Sequence, residues 1–311
     1  MASPLPVLIN PAGGIAATLG DTLRQTVEDA FAAAGRQIAL ELVEGAGMAE
    51  AVARHRGKPR VVVGGGDGTL GCAAAALART PTALAILPLG TRNHFARQLG
   101  IPFDLPAAAR IAVGGQRRRM DLGAAGERVF VNNASFGIYT RFVRRRERHG
   151  GPRWLGSLAA IGHVLRNMRA QAFALRLDGR QVRVTTPLLF IGNNQYSIER
   201  GHLGEREALD EGELSLYAVA AQGPRKLLGF TMRALLGLAR PERDFAECAS
   251  AAEVVIEGDG WIEGAFDGEL EWLPLPLALR SLPNALGVVT PRESVDPERN
   301  LFRIHDSRAQ R

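Results

Sequence analysis

Residues 61–70, which read Val-Val-Val-Gly-Gly-Gly-Asp-Gly-Thr-Leu, decide the fold of this chain. Three β-branched residues in a row are typical of a buried parallel strand, and the glycines after them allow a sharp turn with exposed amides. The alanine-rich run 72–78 then predicts a helix, whose N-terminal amides and dipole favour a bound anion. Asp67 is unusual in such a loop, because a carboxylate repels phosphate unless a divalent cation or a substrate proton lies between them. The stretch therefore predicts a turn that handles phosphate, and a purely structural turn is the alternative.

Two well-known nucleotide motifs do not fit this loop. Gly66, Gly68 and Gly71 have the spacing G-x-G-x-x-G, but a dinucleotide fold also needs an acidic residue about 20 positions later. No acidic residue lies between Asp67 and Asp104. A Walker A loop is excluded because no Gly-Lys-Ser or Gly-Lys-Thr follows.

Composition describes a globular protein with room for two domains. The 311 residues are 46% hydrophobic and 23% charged, and the net charge of +6 favours an anionic partner. Nucleic acid is not expected as that partner, since aromatic residues are few and no recognition motif is present. Two cysteines form no disulfide framework, and no signal peptide or membrane-spanning run is evident, so we expect a cytoplasmic protein.

The first part of the chain alternates strands and helices. Strands predicted at 5–9, 38–43, 61–63 and 83–87 are separated by helical patterns, which indicates a parallel sheet covered by helices. Turn-rich loops follow the first, third and fourth strands, at the edge where α/β sheets bind ligands. In the third loop, Thr91 is expected to cap a helix that continues to Leu99, which places Arg92 and Asn93 on its first turn, within reach of phosphate or ribose oxygens. Taken alone, Asn93 is typical of a cap or turn residue.

The alternation of predicted strands and helices ends near Gly123. Segments at hairpin spacing follow, and Asp178-Gly179 predicts a two-residue type I′ turn. Helices are expected near 155–169 and 225–239. We therefore predict an α/β domain at 1–123, a mainly antiparallel β-sandwich domain at 124–291 and a charged tail at 292–311.

The segment 141–153 holds six arginines beside an apolar helical pattern. Such a segment suits an anionic membrane surface, where each basic residue contributes about 1 kcal/mol, and a solvated face is the alternative. We expect peripheral membrane association through Arg141, Arg144, Arg145, Arg146 and Arg148.

Taken together, the loops resemble the diacylglycerol kinase catalytic family, particularly the bacterial soluble lipid kinases. The resemblance rests on five motifs in order, from residue 10 to about residue 291. They are Asn-Pro-x-Gly-Gly at 10–14, Gly-Gly-Asp-Gly-Thr at 65–69, Pro-Leu-Gly-Thr-x-Asn at 88–93, Met-Asp-Leu-Gly at 120–123 with Phe-Val-Asn at 130–132, and Asp-Gly-Glu at 267–269.

The resemblance implies MgATP-dependent phosphorylation of a lipid hydroxyl, in a cleft between a nucleotide-binding α/β domain and a β-sandwich. It implies that Asp267 or Glu269 acts on the acceptor hydroxyl, with Asp67 facing them across the cleft. The resemblance assigns neither role; we expect Asp267 to be the general base and Glu269 to orient the acceptor or a metal. The residues that it implies for ATP are Asn10, Gly65, Gly66, Asp67, Gly68, Thr69, Thr91, Arg92 and Asn93. A structural Mg²⁺ is implied at Asp210 and Glu211.

Two residues depart from the family pattern. His94 stands where the family usually has Asp, and Glu211 replaces the second Asp of the metal loop. Three alternatives therefore stay open: diacylglycerol or a related lipid alcohol as the acceptor, a soluble acceptor such as NAD or a sugar phosphate, and a non-catalytic regulator that binds nucleotide or lipid. A homo-oligomer is also compatible with the sequence.

Overall fold

The computed structural model describes residues 3–137, 170–195, 208–220, 229 and 245–292, with the backbone alone at 245–248. Its helices are α1 (Gly14–Leu19), α2 (Leu23–Ala33), α3 (Met48–Ala53), α4 (Asp67–Leu77), α5 (His94–Gln98) and α6 (Leu105–Gly114). The first strands are β1 (Leu5–Ile9), β2 (Ile38–Leu42), β3 (Arg60–Gly65), β4 (Ala83–Pro88), β5 (Gln116–Ala125), β6 (Arg128–Phe130), β7 (Asn133–Gly137) and β8 (Gln171–Leu177). The remaining strands are β9 (Arg180–Thr186), β10 (Leu188–Asn193), β11 (Leu214–Val219), β12 (Phe245–Ala251), β13 (Glu253–Glu257), β14 (Trp261–Phe266), β15 (Glu269–Pro274) and β16 (Leu277–Thr290).

A mixed sheet begins with four parallel strands in the order β2-β1-β3-β4. β1, β3 and β4 are buried along their whole length except at Arg60, because helices cover the sheet, and this explains their continuous apolar sequences. The sheet continues through β16, β13, β8 and β9, while β5 and β6 branch from β16. The predicted α/β domain with a parallel sheet is confirmed.

A second sheet is antiparallel, in the order β12-β11-β10-β7-β14-β15. It faces the far part of the first sheet, and one apolar core lies between them, built from residues such as Phe173, Val254, Leu189 and Phe266. The predicted antiparallel second domain is therefore confirmed. The Asp178-Gly179 turn has φ values of 45° and 88°, as a type I′ turn requires.

The last strand, β16, is 14 residues long, and its two halves have different partners. β16 passes Pro283 and Asn284 with a shift of register between Leu282 and Leu286. Its first half pairs with β13, and its second half is parallel to β4. Another apolar core surrounds the four parallel strands, and it includes Ala285, Leu286, Val288 and Val289 of β16. Leu277 and Leu279 belong instead to the core between the sheets, so the chain crosses between the two cores more than once. The proposed boundaries at 123 and 291 stay predictions.

Several predictions fall on residues that the structure leaves undescribed. They are the helices near 155–169 and 225–239, of which only Gly229 is described, the basic segment 141–153, and the tail beyond residue 292.

Candidate active site

The strand order places a crevice between β1 and β3. The chain leaves β1 toward β2 on one side and later returns to β3 on the other, and open α/β sheets bind ligands at this kind of switch point. The loops that follow β1, β3 and β4 meet at this edge, as the sequence predicts.

Two glycines allow these loops to touch. A Cβ atom on Gly90 would lie 2.3 Å from the Cα atom of Gly66, and one on Gly14 would lie 2.5 Å from the carbonyl oxygen of Leu89. Gly14 also has a φ of +62°, which other residues rarely adopt. Positions 14 and 90 therefore need glycine, because a side chain at either one would push two loops apart.

Asn10 links the first loop to the second. Its side-chain oxygen accepts a hydrogen bond from the Ala12 amide at 3.0 Å, and its Nδ2 donates to the Thr69 hydroxyl at 3.0 Å. The Asn10 amide donates to the carbonyl of Gly64 at 2.9 Å. Two of the residues predicted to bind nucleotide, Asn10 and Thr69, thus lie together at the crevice.

Asp67 is the first residue of α4 and also caps a second helix. Its Oδ1 accepts a hydrogen bond from the amide of Phe95, at 3.0 Å, in the first turn of α5. A carboxylate is favourable there because it satisfies an open helix amide and meets the positive end of the helix dipole. The predicted cap, Thr91, is wrong: α5 begins at His94 and its N-cap residue is Asn93.

Asn93 shapes the third loop from inside. It is buried, has a φ of 52°, and its Oδ1 accepts from the Gly90 amide at 2.9 Å. Its Nδ2 donates to the carbonyls of Pro88 and Gly90 at 3.2 and 3.0 Å. Asn93 and the exposed Arg92 thus precede the helix instead of lying on its first turn. The exposed Thr91 and His94 lie beside them.

The Asp267-Gly268 turn joins β14 to β15 in the second sheet. Asp267 Oδ1 accepts hydrogen bonds from the amides of Asn132 and Asn133 at 2.7 and 3.1 Å, and its Oδ2 accepts one from Val131 at 2.7 Å. A carboxylate that receives three amide hydrogen bonds is held in one orientation. Its Oδ2 would lie 3.8 Å from a Cβ atom on Gly71, so this oxygen is directed toward α4.

Glu269 lies against the first turn of α4. Its Oε1 would be 2.9 Å from a Cβ atom on Gly68, and its Oε2 is 2.7 Å from Nη2 of Arg128. The structure therefore brings the Asp267–Glu269 turn to the helix that Asp67 begins. Sequence reasoning did not identify Arg128, because a single arginine at the start of a short strand carries no local signal.

Asp121 is a second residue to which the sequence reading assigned no role. It is fully buried; its Oδ1 accepts from the Asn284 amide and its Oδ2 from the Gly212 amide, both at 2.7 Å. Nδ2 of Asn193 donates to the carbonyls of Asp121 and Val131 at 2.8 and 2.9 Å. These hydrogen bonds connect Asp121, near the predicted domain boundary, to residues 131–133, whose amides bind Asp267.

The structure does not bring the two predicted metal ligands into a cluster. Asp210 and Glu211 are exposed, and Oε2 of Glu211 accepts a hydrogen bond from the Gln195 amide at 3.2 Å. Among the described residues, no three His, Cys, Asp or Glu side chains lie close enough together to hold a metal ion. A structural Mg²⁺ at this loop stays a prediction.

Two ionisable groups beside the site have shifted pKa values. Burial raises the pKa of the Cys72 thiol, and the nearby charge of Glu269 raises it further. Burial lowers the pKa of Arg128, but the hydrogen bond and charge of Glu269 outweigh it and leave the pKa above its ordinary value. Arg128 therefore stays protonated.

The arginines proposed for membrane contact lie outside the described residues. Within the described residues, no helix combines the length and the apolar character that a membrane crossing requires.

Comparisons with known proteins agree with this geometry. A family model described as "Diacylglycerol kinase catalytic domain" matches residues 4–125. A protein named "Probable lipid kinase YegS-like" from Pseudomonas fluorescens is 41% identical over 125 residues, which are 39% of this chain and 41% of that protein. The "Diacylglycerol kinase" of Mycobacterium tuberculosis is 33% identical over 256 residues, 79% of this chain and 80% of that protein.

A solved structure supports the fold. A diacylglycerol kinase from Bacillus anthracis superimposes with a TM-score of 0.68 and covers 94% of this chain and 98% of that one. Its sequence is 21% identical, so the likeness concerns the arrangement of the elements.

Proposed function

This chain belongs to the diacylglycerol kinase catalytic domain family, and we propose that it is a lipid kinase that uses MgATP to phosphorylate the hydroxyl of diacylglycerol or a related lipid alcohol. One observation carries the proposal. The Asp267–Glu269 turn of the second sheet lies on the first turn of α4, next to the glycine loop at the switch point. Groups suited to phosphate and groups suited to an alcohol thus meet at one place.

The glycine loop suits the phosphates of ATP. Gly66, Gly68 and Thr69 surround the start of α4, an eleven-residue helix whose dipole and open amides favour an anion. The loop after β4 packs on Gly66, and we assign Gly65, Thr91 and Arg92 to the edge of the same site. Asn93 contributes by shaping this loop.

Asp67 suits the metal ion that accompanies ATP. Its Oδ1 is held by the Phe95 amide, and we assign Mg²⁺ to its Oδ2. Mg²⁺ commonly binds through one or two carboxylates and the phosphates of the nucleotide, so one fixed carboxylate at this helix start is a fitting ligand. When bound, MgATP supplies the transferring phosphoryl group and partly neutralises its charge.

Asp267 suits the acceptor hydroxyl. Three amides fix its carboxylate with Oδ2 directed toward α4, where it can receive the hydrogen bond of an alcohol and orient its oxygen. We assign to Asp267 the proton that the alcohol loses when its oxygen bonds to the γ-phosphorus of ATP and the bond from that phosphorus to ADP breaks, with ADP as the leaving group. Glu269 lies against the first turn of α4, where we assign it to orient the acceptor.

We also propose that the chain reaches its lipid by docking on a membrane. The basic segment 141–153 supplies charge toward anionic lipid. Trp261 and Trp272 are 66% and 54% exposed and share one face of the β14–β15 hairpin, and amphipathic tryptophan rings suit the lipid headgroup layer. Sedimentation with anionic liposomes tests this part. The variant with Arg144, Arg145, Arg146 and Arg148 neutralised should bind less and show less salt dependence, with unchanged affinity for ATP.

Transfer of labelled phosphate from ATP to a lipid extract, followed by identification of the product, tests the activity. A phosphorylated lipid alcohol supports the proposal. Transfer only to NAD or a sugar phosphate would replace the lipid by a soluble acceptor, and ATP binding without transfer would indicate a regulator.

A further inference from the structure

Arg128 joins the two sheets at the candidate active site. It is the first residue of β6, which belongs to the mixed sheet through its pairing with β5. Its Nη2 is 2.7 Å from Oε2 of Glu269, at the start of β15 in the other sheet, and its Nε is 3.5 Å from Oε2 of Glu271. The first distance is that of a charge-assisted hydrogen bond, and the second is that of a looser ion pair.

Glu269 is thereby held on two sides. Arg128 contacts one oxygen, while the other oxygen lies above Gly68, the second residue of α4, with no space for a Cβ atom between them. A long glutamate side chain has several rotamers and loses them here. Arg128 therefore determines where the Glu269 carboxylate stands relative to the nucleotide loop.

Cys72 is a native reporter of this pair. It lies one turn beyond Gly68 on α4, and the charge of Glu269 raises its pKa while the charge of Arg128 lowers it. Both charged groups therefore lie close to this face of the helix.

We infer that Arg128 is a positioning residue that acts through Glu269, holding its carboxylate at the start of α4 so that the acceptor hydroxyl meets the phosphoryl group in one orientation. The inference rests on the proposed function. Arg128 and Glu269 are both partly exposed, and exposed ion pairs contribute little to stability, so the role belongs to rate more than to folding.

A double-mutant cycle in the full chain tests this inference. We expect Arg128→Gln to lower kcat about tenfold, because a small misplacement of an orienting group reduces the rate by such factors, while the Kd for ATP stays within twofold. In a Glu269→Gln background, Arg128→Gln should have no further effect on kcat, since its target is gone. Arg128→Lys, which keeps the charge, should recover part of the rate. Equal losses in both backgrounds, or no loss from Arg128→Gln in the wild-type background, would overturn the inference.

A second measurement does not depend on transfer. The alkylation rate of Cys72 at fixed pH, followed by peptide mass spectrometry, should fall in Arg128→Gln and rise in Glu269→Gln, because a cation favours the thiolate and a carboxylate opposes it. Arg54→Gln, which breaks the remote surface pair of Arg54 and Glu41 at 2.7 Å, is the matched control and should change neither rate. If the wild type phosphorylates no lipid while the alkylation rate of Cys72 changes as expected, the proposed function fails, and the positioning of Glu269 by Arg128 is still supported. An unchanged alkylation rate of Cys72 in both variants would show that Arg128 does not hold Glu269 at α4.

Discussion

Two glycines of α4 allow a matched test of the contact between this helix and the Asp267–Glu269 turn. Gly68 and Gly71 lie in the same helix, and replacing either by alanine favours the helix by about 0.5 to 1 kcal/mol. Their surroundings differ. A Cβ atom on Gly68 would lie 2.9 Å from Oε1 of Glu269, whereas one on Gly71 would lie 3.8 Å from Oδ2 of Asp267, an ordinary contact.

Gly68→Ala should therefore displace Glu269. A carbon and an oxygen rarely approach closer than about 3.3 Å, so the carboxylate must retreat by about 0.5 Å and strain its bond to Arg128. Misplacement by 1 Å can reduce a rate about 10²-fold, and half of that displacement suggests a loss of about tenfold in kcat. The displacement should cost little stability, because Oε1 ends a flexible and partly exposed side chain, so the variant should keep most of the helix gain.

Gly71→Ala should gain about 0.5 to 1 kcal/mol of stability and keep its kcat within about threefold. Both variants are assayed for phosphate transfer from ATP to diacylglycerol in mixed micelles, with urea unfolding and ATP affinity measured in parallel. Wild-type activity in Gly68→Ala, or an equal loss in both variants, would refute the close contact between Glu269 and α4.

Four further variants test individual side chains. Asp67→Asn should keep the fold by circular dichroism, since its Oδ1 can still accept from Phe95, and should lose at least about 10²-fold of the transfer rate; transfer at the wild-type rate would return the loop to a structural role. Asp267→Asn should lower kcat by about 10² to 10⁴-fold with ATP binding retained, and should cost about 1 to 3 kcal/mol in urea unfolding because an amide group then faces a backbone donor; full activity would move the base elsewhere. His94→Asp should change the Mg²⁺ titration of transfer, and identical titrations would place His94 outside the site. The pKa of the Cys72 thiol is higher in the folded chain than in the unfolded chain, so the thiol stabilises the fold fully at a pH below its unfolded pKa. This stabilisation is lost as the pH rises through the folded pKa. Cys72→Ala should therefore flatten the alkaline decline in stability, measured by urea unfolding.

Local chemistry sufficed to predict much of the fold from the sequence. The apolar strands at 5–9 and 83–88 and the glycine loop before α4 follow from hydrophobic runs and backbone freedom, which act over a few residues. The capping of α5 by Asp67 could not be predicted from the sequence. The sequence favoured Thr91, but the capping carboxylate comes from Asp67, 28 positions before Phe95, and no local pattern reports a partner at that distance.

The two Asp-Gly turns separate what the sequence determined from what the tertiary structure decided. Asp178-Gly179 and Asp267-Gly268 both adopt positive φ values, and both carboxylates accept backbone amides, from Ala252 and Glu253 in the first case. Their conformation follows from the dipeptide, because aspartate and glycine tolerate left-handed backbone. Their roles differ because strand pairing across more than a hundred residues places only the second turn against α4. The sequence thus determined that each turn forms, and the long-range pairing of β14 with β7 decided which turn could face the nucleotide loop.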